Sequence, residues 1–170
     1  KDISVTSIDQ YLRDVDPAKH NFDLVVAVDV LSYIGELEGL FRSVSRVMRP
    51  GAHFAFTVEA ISKAARQGVN VDEEEARDEL VPARSQIDPE VEVAAKNGEH
   101  RGFQLLRSGR FGYAKAYVDG VLGAMEGDDI EVVLSRQFSP RLDAGNPVPG
   151  YLYVVHKKRD NGAEGAPECI

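Results

Sequence analysis

Asp29, Tyr33 and Glu59 lie within one 38-residue stretch, FDLVVAVDVLSYIGELEGLFRSVSRVMRPGAHFAFTVE, residues 22–59. Asp29 stops an apolar run just where helix-forming residues begin. A carboxylate there either caps the following helix or contacts a ligand, and the residues alone leave both open. The sequence excludes several other chemistries. His20, His53, His100 and His156 are far apart, with neither His-x-His nor His-x-x-x-His spacing, so no zinc site is expected. There is no Gly-x-Ser-x-Gly elbow, no Walker loop and no Gly-x-Gly in the chain. No acid-base pair identifies itself, so the catalytic group is left unknown. What remains is position. In open α/β sheets ligands bind beyond the carboxyl ends of the strands, and Asp29, Tyr33 and Glu59 sit at or just past such ends, with Ser7 and Asp9 in the matching place upstream.

The elements that would hold these residues follow from hydrophobic period. Residues 22–30 are almost continuously apolar and rich in Val, the pattern of a strand buried on both faces of a parallel sheet. Leu37, Leu40, Phe41, Val44, Val47 and Met48 then recur at helical intervals, opposite Glu36, Arg42, Ser43 and Arg46. Arg49, Pro50 and Gly51 end that helix, and 53–58 reads as the next strand. Strand, helix and strand in this space form a βαβ unit with a right-handed crossover. Upstream, 3–7 reads as a short strand followed by a short helix through Tyr11 and Leu12. Downstream, 111–125 carries helical spacing, interrupted by Gly112, Gly120 and Gly123. Strands at 130–138 and 151–156 flank SPRLDAGNPVPG, which is too rich in turn formers for a crossover helix, so they pair antiparallel.

The chain has 170 residues, 43% hydrophobic and 28% charged, which suits one α/β domain with a substantial core. No apolar run approaches the roughly 20 residues of a membrane span, so no membrane partner is expected. Cys169 is the only cysteine, which fits a reducing, cytoplasmic setting. The net charge of -8 argues against nucleic acid. Residues 72–99 hold ten acids against three bases and so carry -7 of that charge, as a solvated face or a cap for a cationic partner. Residues 159–170, with Gly162, Gly165 and Pro167, read as a disordered tail.

The strand-Asp-Val-Leu pattern followed by Arg-Pro-Gly resembles the fourth strand, following helix and fifth strand of class I S-adenosylmethionine-dependent methyltransferases. GFQLLRSGRFGYAKAYVDGVL and NPVPGYLYVVHKK resemble a branch often fused to tetratricopeptide repeats. The resemblance implies a partial Rossmann-like sheet over 1–158, mostly parallel with an antiparallel C-terminal hairpin and helices on both faces. It implies S-adenosylmethionine as cofactor, with Asp29, Val30 and Leu31 near its sulfonium end and Ser7 and Ile8 bordering the adenine. It places Tyr33, Arg110 and Tyr113 on the side of a small-molecule or protein methyl acceptor. Residue by residue, Arg110 equally suits a salt bridge to the acidic segment, and Tyr113 and Tyr117 suit core-facing aromatics.

The chain also departs from that family. The glycine-rich cofactor loop and the ribose-binding acid are absent, and the resemblance begins at the family's third strand, as expected of a C-terminal portion of a longer product. Ser7 stands where the family often has aspartate, Tyr113 where the branch has histidine, and 61–101 is an insertion. An apolar strand left without its neighbour favours self-association through a sheet edge. The competing expectation is a catalytically inactive relative that binds a protein partner.

Overall fold

The computed structural model describes residues 6–16, 21–62, 87–125, 130–143 and 146–158. After α1 (Ile8–Asp14), the apolar run forms β1 (Phe22–Ala27), a 3-10 turn (Leu31–Tyr33), α2 (Glu38–Val47) and β2 (Met48–Ala60). β1 and β2 are parallel, with Val25 opposite Phe54 and Ala27 opposite Phe56, as the βαβ reading requires. α2 buries Leu40, Phe41, Val44 and Val47 and keeps the Glu38–Arg42 pair in solvent. Lys157 Nζ closes its end, donating to the carbonyls of Ser45 at 2.8 Å and Met48 at 3.1 Å. The helix stops where Pro50 demands, but Arg49, Pro50 and Gly51 are already part of β2 rather than a separate turn.

The second half contains α3 (Pro89–Lys96), β3 (Phe103–Leu105), β4 (Phe111–Tyr113), α4 (Lys115–Ala124), β5 (Ile130–Asp143) and β6 (Asn146–Lys157). The helix expected from 111 therefore starts only at Lys115. Phe111–Tyr113 pairs instead with β3 on one side and, through Gly112 and Tyr113, with Glu59 and Ala60 on the other. β5 and β6 form the expected antiparallel hairpin, but its arms run through most of the segment read as a connection. β1, β2, β4 and β5 share one direction; β3 and β6 run against them. β6 takes one edge of β2. β1 takes the other edge as far as Phe56, and β4 continues that edge from Glu59.

Phe41, Val44, Phe54, Leu122 and Val155 converge where α2 and α4 cover one face of the sheet, and Phe56 stacks on Tyr153 at 5.2 Å. The opposite face carries the row Val26, Ala55, Val154 and Leu134 across four strands. Helices on that face are not among the described residues. Leu24 and Val26 of β1, and Val28 just beyond it, are each 57% exposed, so β1 is not buried on both faces. Of the expected strand at 3–7, positions 3–5 lie outside the described residues, and Ser7 is the N-cap of α1. Positions 63–86 of the expected insertion and the tail from 159 also lie outside them.

Candidate functional site

β1 leaves β2 after Ala27, and β4 arrives only at Glu59. The edge of β2 between them is closed by the chain following β1: the Asp29 amide donates to Thr57 Oγ1 at 3.0 Å. To make this contact Asp29 adopts a left-handed backbone, φ 57°, the one non-glycine residue to do so among the described residues. Aspartate tolerates that conformation better than most residues, but its cost marks a position held by its surroundings. The strand pattern thus predicts the apolar run, and the left-handed turn at its end favours aspartate over most other side chains.

Asp29 does not cap a helix. Val30 is the N-cap of the 3-10 turn, and no side chain caps it. The Asp29 carboxylate, whose side chain is 53% exposed, instead pairs with Arg110. Arg110 precedes β4. Its Nε lies 2.8 Å from Glu59 Oε1, a charge contact without hydrogen-bond alignment, and its guanidinium sits 4.9 Å from the centre of the exposed Tyr33 ring. Among the described residues Arg110 therefore joins two strand-end acids; most acids of the 61–101 segment lie outside those residues. Glu59 is itself buried and accepts from Arg141 Nε at 2.9 Å and Arg141 Nη2 at 3.4 Å.

Of the expected site residues, Asp29, Tyr33 and Arg110 come together, with Val30 and Leu31 in the turn between Asp29 and Tyr33. Val30 is exposed and Leu31 is completely buried. Tyr113, expected on the acceptor side, is fully buried and cannot meet an acceptor. Its hydroxyl donates to the Leu31 carbonyl at 2.7 Å, with the Ile34 carbonyl also in reach, so it supports the turn from beneath. Burial in apolar surroundings raises its pKa, keeping it a neutral donor. At the start of α1, Ser7 Oγ accepts from the Gln10 amide at 3.2 Å, and Ile8 packs on the core. Glu59 and Arg141 complete the cluster. Glu59 was legible as a strand-end acid; Arg141, 82 residues further on, had no sequence signal.

The donor set suits a ligand with a cationic centre. A half-exposed carboxylate and an exposed aromatic ring face outward, and three acids, Asp29, Glu59 and Asp143, meet two guanidinium groups. Within the same turn Ser32 Oγ is buried without a hydrogen-bond partner among the described residues. No described group of three or more His, Cys, Asp or Glu side chains could hold a metal ion. No helix of the described residues is long and apolar enough to cross a membrane.

A family model described as a methyltransferase domain matches residues 2–56. Among solved structures, SAM-dependent methyltransferase from Methanosarcina mazei superposes with a TM-score of 0.50 at 15% identity, covering 83% of this chain and 62% of that one. A protein from Listeria monocytogenes described as an S-adenosylmethionine-dependent methyltransferase gives 0.50 at 13%, covering 87% and 67%. The chain thus spans less than two-thirds of the Methanosarcina protein. No curated protein sequence matches it. At these identities the likeness establishes the fold, which is that of class I S-adenosylmethionine-dependent methyltransferases.

Proposed function

We propose that this chain takes part in S-adenosylmethionine-dependent methyl transfer to a small-molecule or protein nucleophile. The observation that carries the reading is Asp29: a half-exposed carboxylate, in a strained backbone, beyond the ends of parallel strands, inside the segment matched by the methyltransferase family model. Bound S-adenosylmethionine supplies a methyl group on a positively charged sulfur. Asp29 would face that charge, and Val30 and Leu31 would set the turn beside it. Tyr33 and Arg110 lie on the acceptor side. Ser7 and Ile8 at the start of α1 are proposed to border the adenine. Such catalysis rests on proximity and orientation, so a site without a conspicuous acid-base pair is adequate. A single cysteine, Cys169, fits a cytoplasmic setting for the same reading.

Calorimetric titration of the chain with S-adenosylhomocysteine tests this. Saturable heat that is lost in Asp29→Ala supports it; no heat at millimolar ligand overturns it for this chain.

A second reading draws on the uncovered face of β1. Leu24, Val26 and Val28 are apolar, contiguous and over half exposed on or just beyond a strand whose described pairing is with β2 alone. Such an edge favours association with another copy of the chain. The two readings are compatible, because the open face and the Asp29 cluster use different residues.

A further inference from the structure

Neither Glu59 nor Arg141 is a residue that the methyltransferase resemblance assigns to a site, yet both connect to Asp29 and Tyr33. The Glu59 side chain is only 3% exposed, and its carboxylate is held between two guanidinium groups, Arg110 Nε at 2.8 Å and Arg141 Nε at 2.9 Å. A second Arg141 nitrogen approaches the other Glu59 oxygen at 3.4 Å, so Arg141 grips both oxygens and orients the carboxylate. Arg141 comes from the far arm of the β5–β6 hairpin. A register shift between Phe138 and Arg141 breaks the regular pairing there. Gly150 allows the hairpin to approach β2, since a Cβ at that position would lie 2.5 Å from the Val58 carbonyl and 2.8 Å from the Pro140 ring.

A carboxylate this buried needs Arg141, because Arg110 is shared with Asp29 and by itself leaves part of the Glu59 charge uncompensated. Arg110 then divides its guanidinium between Glu59, Asp29 and the face of Tyr33. We infer that Arg141 is a positioning residue for the site: by fixing Glu59 it sets where Arg110 sits, and through Arg110 it orients Asp29 and Tyr33. Asp143, 3.7 Å from Arg141 Nη1, steadies the outer end of the same chain of charges. The identity of the ligand rests on the methyltransferase reading; the mechanical link from the hairpin to the site does not.

The link is read in the ligand-free chain by fluorine NMR of 3-fluorotyrosine placed at position 33, in wild type, Arg141→Ala, Arg141→Lys and Arg110→Ala. Arg141→Ala is expected to move the Tyr33 resonance in the same direction as Arg110→Ala. Arg141→Lys, which keeps the charge but loses the two-pronged grip, is expected to move it less. S-adenosylhomocysteine affinity is expected to fall about fivefold in Arg141→Ala, the order of effect of a residue acting through a packed network. A Tyr33 resonance unmoved in a folded Arg141→Ala chain overturns the inference. If that variant does not fold, an unmoved resonance in Arg141→Lys overturns it instead. A wild-type chain that binds no S-adenosylhomocysteine sinks the methyltransferase reading, while the fluorine resonance still decides the role of Arg141.

Discussion

The hydroxyl of Tyr113 donates to the carbonyl of Leu31 at 2.7 Å, joining the end of β4 to the turn that presents Asp29 and Tyr33. Both residues are completely buried, so water cannot replace the bond. Tyr113→Phe is expected to cost about 1–2 kcal/mol of stability by urea unfolding, since a buried carbonyl loses a donor. The substitution keeps the ring and its neighbours Phe103 and Tyr117. A variant as stable as wild type would show that the hydroxyl contributes nothing.

Removing the charge of Glu59 tests the centre of the cluster. Glu59→Gln keeps the volume but leaves Arg110 and Arg141, both largely buried, without their shared anion. The expected loss is about 3 kcal/mol, against at most about 1 kcal/mol for Arg49→Ala, whose pair with Asp23 is exposed to solvent. Equal small effects from both substitutions would contradict the assigned role of burial.

These two cases mark what the sequence could disclose. The 3.6-residue stripe of α2 and the Val-rich run of β1 are local patterns, and both elements stand where those patterns put them. The three-residue strand Phe111–Tyr113 is too short to display alternation, and its residues also fit the helical spacing that follows. Pro140, Pro147 and Pro149 read as turn formers, yet they lie in the hairpin arms. That is tolerated because β5 is an edge strand and β6 meets β2 only from Gly150 onward. Asp29 was visible as an interruption in an apolar run. Its pairing with Arg110, a residue 81 positions away that only the family resemblance singled out, was not, because ion pairs between loops leave no periodic trace.

Helix α4 starts without a cap of its own: Ala114 is its N-cap and offers no side-chain acceptor. Glu92, from α3, supplies one, accepting from the Lys115 amide at 2.7 Å and the Ala116 amide at 3.0 Å. A carboxylate at a helix N-terminus satisfies two free donors and complements the helix dipole. Glu92→Ala is expected to cost about 1–2 kcal/mol and to raise amide exchange at Lys115 and Ala116. Unchanged exchange at those two amides would contradict the cross-helix cap.

The open face of β1 makes a concentration-dependent prediction. The wild-type chain is expected to self-associate reversibly in sedimentation equilibrium, and Val26→Lys to shift it toward monomer by placing a charge in the centre of the Leu24, Val26 and Val28 patch. Because Val26 is already more than half exposed, the substitution is expected to change stability by no more than about 0.5 kcal/mol. A wild-type chain that stays monomeric at high concentration removes the self-association reading.

Stability at alkaline pH follows from three buried phenols. Burial is the largest cause raising the pKa of Tyr113, Tyr151 and Tyr153 above the ordinary value near 10; for Tyr153 the neighbouring Asp119 carboxylate, which accepts from its hydroxyl at 2.8 Å, adds to it. The folded chain therefore keeps protons that the unfolded chain releases. Stability is fully present below pH 10 and falls as pH rises beyond it, by up to about 1.4 kcal/mol per pH unit for each phenol. Tyrosinate absorbance at 295 nm and circular dichroism should change together above pH 10, because these rings ionise on unfolding. Tyr153→Phe is expected to lessen the slope by one proton. Ionisation of all six tyrosines near pH 10 with the dichroism unchanged would contradict the burial of these rings against the sheet.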